Sequence, residues 1–374
     1  MPTIIKASDA ADLLALVPTL AGYRPRRSLA LVLFRGKRTA GVMRYDLPDP
    51  DAVETVASTT IGLACKVDRV DGIAIVVYAD GALREHPGRP IAWHALARAL
   101  EQRAHVCGLR VVEALCVADD AWASYEDGDA RPLDEVRDRE ASLRMPAPTE
   151  DQGSGANLPD TDLAEKERLA RALVTIDDAA AAILAAPSDV ETADVPSLAR
   201  LDPRALAAVV ALDDLPELFE DALSWDPGAL DAYSGAVLLW CLRRPALRDV
   251  ALQQWAADIH AGELALFAQA RWEAGEEYPF ELGARFCGEG PRPDPGRLQR
   301  ARDVVRRIAA AAPRDARPGP LAAAAWLSWA LGASTHAGWY ADQALAIDPE
   351  HGLSQIVMTM CAASHLPEWA FARE

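Results

Sequence analysis

The stretch ADLLALVPTLAGYRPRRSLALVLFRGKRTAGVMRYDLP, Ala11 to Pro48, decides the fold. Leu13, Leu14, Leu16 and Val17 stand close to helical spacing, so the front reads as a short amphipathic helix. Pro18 and Gly22 are expected to stop it, and Tyr23-Arg24-Pro25 turns the chain. Ser28 to Phe34 is a nearly continuous apolar run, the mark of a buried strand. Gly36-Lys37 makes a tight turn, and Thr39 to Leu47 returns as a second strand. A helix, a loop and a hairpin open an α/β domain.

The pattern continues outward on both sides. Ile4 and Ile5 suggest a first short strand, and Ser8 suggests the N-cap of the opening helix. Asp49-Pro50 opens a helix to about Lys66, Gly72 to Tyr78 is a buried strand, and Ile91 to Val106 is helical. Gly108 stands where a left-handed cap ends that helix. Leu109 to Val117 and Trp122 to Tyr125 supply further strands. Alternation of this kind specifies an α/β sheet over residues 1–125.

From 126 to 160 the sequence turns acidic and rich in Pro and Gly, which reads as a mobile linker. From 161 to 374 only helical patterns are present, so the second domain is expected to be all-α. Ala222 to Pro227 and Ala344 to Pro349 share the form A-L-x-Φ-D-P, where Φ is apolar, and Leu198 to Pro203 is a weaker copy. In each, Asp is placed to cap the next helix and Pro to enter its first turn. The pattern resembles the exit of a tetratricopeptide repeat, with Ala337, Ala341 and Ala344 at the small positions. The copies lack an even spacing, so stacked helical hairpins are expected and not a regular solenoid.

The chain has 374 residues and a formal charge of -18. Such a surface disfavours nucleic acid and anionic membrane as partners. No run reaches the ~18 apolar residues of a spanning helix. The N-terminus lacks a signal-peptide plan, and none of the six cysteines sits in a CxxC pair. Most have apolar neighbours and read as small buried hydrophobes in a reducing, cytoplasmic setting.

Chemistry is sparse in the sequence. There is no phosphate loop, GxSxG elbow or HExxH helix, so no catalytic residue, metal or cofactor is assigned. His94 with Glu101 lacks further metal ligands, and His86 lies in a polar loop. Asp46, Asp80 and Asp119-Asp120 follow strands, where they suit turn formation better than cation binding. The anomaly is the basic cluster Arg24, Arg26, Arg27, Arg35, Lys37, Arg38 and Arg44 in an acidic protein. One reading pairs it with the acidic helical domain or with the acid-rich stretch Glu126 to Glu140. The other makes Gly22, Tyr23, Arg24, Arg26, Arg27, Arg44 and Asp46 a binding surface.

DLLALVPTLAGYRPRRSLALVLFRG and MRYDLPDP, with the later WASY and PLAAAAWLSWALGASTHAGWYADQALAIDP, resemble an actinobacterial family, domain of unknown function 4192. The resemblance covers most of the chain and implies no established activity. In that family a cysteine cluster usually follows the W-x-SY motif. Here Glu126-Asp127-Gly128-Asp129 stands in its place, so any metal role of such cysteines is lost. The expectation is a non-enzymatic interaction or assembly protein with a protein partner, itself or another. The alternative is an α/β enzyme or sensor that takes a phosphorylated or nucleotide-like anion at residues 24–44.

Overall fold

The computed structural model describes residues 7–143, 145, 147–185 and 201–371, so the strand expected at Ile4-Ile5 lies outside it. The chain divides into two compact units between Ser154 and Gly155.

The first unit is built on a five-stranded sheet in the order β2-β1-β3-β4-β5. The strands are β1 (Ser28–Arg35), β2 (Arg38–Asp46), β3 (Gly72–Tyr78), β4 (Arg110–Val117) and β5 (Trp122–Ser124). β1 runs antiparallel to β2 and β3, β3 and β4 are parallel, and β5 returns antiparallel. β1 and β3 are buried on both faces, which is why SLALVLF and GIAIVVY read as continuous apolar runs.

Alternate residues feed two cores. Leu29, Leu31, Leu33, Ile73, Ile75 and Val77 meet helices α2 (Val53–Lys66) and α3 (His94–Val106) through Ala57, Ile61, Leu96 and Leu100. On the opposite face Ala30, Val32, Ala74 and Val76 meet α1 (Ala10–Ala21) through Leu13, Leu14 and Val17. Leu133 and Val136 of a further helix, α4 (Leu133–Ser142), pack into that same core.

Several boundaries differ from the sequence reading. Pro18 does not stop α1; the helix passes through it to Ala21. Gly22, at φ 83°, ends it and donates its N–H to Pro18 O at 2.8 Å, a left-handed cap. The N-cap is Asp9, whose carboxylate accepts the Asp12 N–H at 2.8 Å. Ser8 instead donates its backbone N–H to the Asp12 carboxylate at 2.9 Å. The stretch read as a linker from residue 126 contains α4. Its ten residues carry few apolar side chains, so periodicity was weak there.

The second unit contains eleven α-helices among the described residues. They are α5 (Leu163–Ala185), α6 (Pro203–Val210), α7 (Leu215–Ala222), α8 (Ala232–Leu242), α9 (Pro245–Trp255), α10 (Ile259–Glu273), α11 (Phe280–Phe286), α12 (Pro295–Ala311), α13 (Pro318–Ala330), α14 (Ser334–Leu345) and α15 (Gly352–Ala362). α13 is buried along its whole length, which accounts for its all-round apolar sequence. No helix among the described residues is long and apolar enough to cross a membrane.

Buried tryptophans stitch this core, because an indole N–H removed from water requires an acceptor. Trp255 donates to Phe219 O at 2.8 Å, Trp329 to His365 O at 2.8 Å and Trp369 to Ala330 O at 3.0 Å. Gly319 lets α13 touch the end of α8: a Cβ there would lie 2.2 Å from Leu242 O. Of the recurring Asp-Pro steps only Asp202-Pro203 opens an α-helix as expected; Asp226-Pro227 opens a three-residue 3-10 turn, and Asp348-Pro349 makes a turn before α15, whose N-cap is His351. Asp202, Asp226 and Asp348 each accept the backbone N–H two residues on, at 2.8, 2.8 and 3.1 Å. Leu198 to Arg200 of the weaker copy lie outside the described residues.

Candidate functional site

The antiparallel register sets Ser28 opposite both Asp46 and Tyr78. It therefore gathers the turn Gly22 to Arg27, the end of β2 and the end of β3 at one end of the sheet. All seven residues nominated from the sequence lie there. Arg35, Lys37 and Arg38 do not: they sit at the far end of β1, about 23 Å away for an eight-residue strand. The basic run is contiguous in sequence but forms two separate groups in space.

At the near end the arginines have internal partners. Arg24 grips Glu140 of α4 with two parallel bonds, Nη1 to Oε2 and Nη2 to Oε1, both 2.7 Å. This fork-to-fork geometry is the strong form of an arginine–carboxylate pair. Arg27 Nε lies 2.9 Å from Asp80 Oδ2, with both side chains well exposed. Its backbone is left-handed, at φ 45°, a strained state for a residue with a Cβ. Arg44 is largely buried; its Nε donates to Ser28 Oγ at 2.8 Å and its Nη2 pairs with Asp46.

Arg26 is used through its backbone. Its N–H donates to Gln152 Oε1 and its C=O accepts from Gln152 Nε2, each at 3.0 Å. Beside it, Tyr23 forms a one-residue parallel bridge with Thr149: Thr149 N donates to Gly22 O at 3.0 Å and Arg24 N to Thr149 O at 3.1 Å. Residues 149–152 thus stitch the turn from outside. Burial raises the Tyr23 hydroxyl pKa, and the nearby Arg44 opposes that rise. The Tyr78 hydroxyl is buried without a hydrogen-bond partner among the described residues, and burial raises its pKa strongly, with Glu140 adding to the rise.

A cavity of about 610 Å³ opens beside this turn, with Arg24, Arg137, Glu140, Met145 and Pro148 in its wall. Arg44 and Asp46 do not line it. An anion entering it meets Arg24 already neutralised by Glu140, and must displace that carboxylate to use the guanidinium. Arg137 is likewise paired, with Asp134 at 2.9 Å.

The strand-end acids act as turn formers. Asp119 Oδ2 accepts Gly81 N–H at 2.7 Å and Asp120 Oδ1 accepts Leu83 N–H at 2.8 Å. Among the described residues no group of three or more His, Cys, Asp or Glu side chains could hold a metal. The pairing of the basic cluster with the acid-rich stretch Glu126 to Glu140 is met at Arg24 by Glu140, whereas Thr149 and Gln152 were not singled out from the sequence. They lie in the stretch read as linker, and no local pattern marks a contact more than a hundred residues away.

One feature of the same hairpin is open. Among the described residues β2 is the outer strand of the sheet, paired on one side only, with β1. At the opposite edge the three residues of β5 cover β4 from Leu115 to Val117, and Trp122 pairs back with Arg131. On β2 the register slips between Leu33 and Phe34, where Ala40 bulges and Gly41 takes φ 142°. Beyond the bulge, Val42 to Asp46 is regular.

The comparisons with known proteins add a family. No curated protein and no solved structure matches the chain. The family model described as a domain of unknown function (DUF4192) matches residues 11–280, which takes in the sheet, all four helices of the first unit and the second unit as far as the start of α11. The tetratricopeptide-like copy at Ala344 to Pro349 falls outside that range. A match over so much of the chain, in the order of elements just described, places it: the chain belongs to the DUF4192 family.

Proposed function

We propose that this chain is a non-enzymatic assembly protein of the cytoplasm that joins a second copy of itself by strand pairing along β2. The observation that carries the reading is the edge of β2, the longest strand of the sheet, which among the described residues pairs with β1 alone. Unpaired backbone N–H and C=O groups along a nine-residue strand are a template for another strand. From Thr39 to Tyr45 the strand has no Pro and no Lys, and its one charge, Arg44, is turned inward and largely buried.

Charge favours self-pairing. An antiparallel second copy brings the exposed Arg38 end of each β2 toward the exposed Asp46 end of the other. The anion-binding alternative has less support, because Arg24, Arg27 and Arg44 already hold Glu140, Asp80 and Asp46.

Amide hydrogen exchange tests the reading. Exchange across Arg38 to Asp46 is expected to slow as the protein is taken from nanomolar to high micromolar concentration. Exchange in that strand that is independent of concentration would remove β2 as the joining surface.

A further inference from the structure

Cys65 and Cys107 lie 42 positions apart in sequence, and the topology makes them neighbours. α2 leads into β3 and α3 leads into β4, and those two strands are parallel. Both helices pack on the same face of the sheet, through Ala57, Ile61 and Ala64 on one and Leu96, Leu100 and Ala104 on the other. They therefore run side by side in the same direction, and their C-terminal ends coincide. Cys65 is in the last turn of α2, and Cys107 is the C-cap of α3. The Cys107 side chain raises the Cys65 pKa, as a thiol beside it would. Both residues are exposed, whereas Cys116 and Cys241 are buried in the cores.

We propose that Cys65 and Cys107 form a redox-responsive thiol pair that closes to an intramolecular disulfide when it meets a low-molecular-weight disulfide. In the first step one protein thiolate attacks the small disulfide. An S–S bond forms to the protein, and one small thiolate leaves. In the second step the neighbouring protein thiolate attacks the protein sulfur of that mixed disulfide and expels the second small thiolate. Two protein thiols are oxidised, and one small disulfide is reduced to two thiols.

The coincident ends of α2 and α3 make the second step intramolecular, so the mixed disulfide does not accumulate. The product ties α2 to α3 across the face that covers the sheet. In a reducing setting the pair rests as thiols. Burial, and then the neighbouring Cys107 thiol, raise the Cys65 pKa. This inference is independent of the edge-strand reading, since neither cysteine is on the hairpin.

The experiment is oxidation of the full-length protein with glutathione disulfide, followed by rapid alkylation and peptide mapping without reduction. The expected product is a peptide linking Cys65 to Cys107, free of bound glutathione, while exposed Cys287 keeps its adduct. Cys65→Ser is expected to trap glutathione on Cys107, and Cys107→Ser to trap it on Cys65. The cross-linked protein should also melt higher than the reduced one. Separate glutathione adducts on Cys65 and Cys107 in the unsubstituted chain, with no linked peptide, would overturn the proposal. So would failure of either thiol to react while Cys287 does.

Discussion

Arg24, two residues past the cap of α1, and Glu140, in the last turn of α4, form a two-pronged ion pair with both contacts at 2.7 Å. Arg139, the next residue back on α4, holds the other end of α1 through Asp12 at 2.7 Å and Asp9 at 3.3 Å. Adjacent side chains of one short helix thus clamp both ends of another. The hydrogen bonds from Ser8 and the Arg139 contact lower the Asp12 pKa.

The clamp gives a stability prediction. In a double-mutant cycle, Arg24→Ala and Glu140→Ala should couple by about 1 kcal/mol, since the pair is bidentate but half exposed on the arginine side. Arg26→Ala should stay within about 0.5 kcal/mol of the parent, because the structure uses Arg26 through its backbone. Urea melts of the three variants decide this. An Arg26→Ala loss as large as that of Arg24→Ala would show that the arginine side chains stabilise the turn in some other way.

The extent of the first unit can be read from fragments. A fragment ending at Ser154 keeps α4 and the stitching segment 149–152, and should melt cooperatively. One ending at residue 125 lacks Leu133, Val136 and Glu140, exposes the α1 face of the sheet and should lose cooperative melting. Equal melting of the two fragments would restrict the folded unit to the sheet and its first three helices.

Gly319 supports a prediction in the helical unit. In Gly319→Ala the new methyl group would stand 2.2 Å from the backbone oxygen of Leu242, which no side-chain rotation relieves. The loss should be about 3 kcal/mol, at the upper end for overpacking. Gly338→Ala, with nothing within 4 Å of its Cβ, is the control and should be neutral or stabilising. Calorimetry of the two variants checks the difference.

A pH effect follows from His351. Its Nε2 faces Arg248 Nη1 at 3.2 Å and its Nδ1 faces Ser354 Oγ at 3.0 Å, so the neutral ring accepts from the arginine and donates to the hydroxyl. Burial, and then the Arg248 charge, lower its pKa below the ordinary 6.5, while Asp348 opposes them. The unfolded chain therefore binds more protons as pH falls below 6.5, and the stability present above that value is lost on acidification. Burial raises the pKa of Asp249, beside Arg248, and its effect has the opposite sign, beginning above 3.8. His351→Gln should flatten the decline between pH 7 and 5, as read by thermal melts. An unchanged slope would assign the acid sensitivity to other groups.

How far the sequence was legible depends on the range of the interaction. Gly72 to Tyr78 was read to the residue, because a β-branched run buried on both faces carries its own signal. Pro18 misled because a proline in the interior of a helix usually breaks it, yet α1 continues one turn to Gly22. α4 and α11 were missed: both are short, and α4 is mostly charged. At the candidate site the arginines were visible as an anomaly and the stretch ending at Glu140 as a partner, but Thr149 and Gln152 were not visible as the residues that stitch the turn. The nearness of Cys65 to Cys107 depends on two helices running in parallel, which only the strand order reveals. The reading of most cysteines as buried failed for three of six, at helix ends and loops where apolar neighbours do not ensure burial.

The central claim is that β2 joins two copies of the chain, and the direct test is mass in solution. Sedimentation equilibrium across the micromolar range is expected to show a monomer passing to a dimer. Arg38→Glu sets like charge against Asp46 of the second copy, and should shift that transition to higher concentration. A strict monomer at every concentration would contradict self-assembly, and a dimer indifferent to Arg38→Glu would place the joining surface elsewhere than β2.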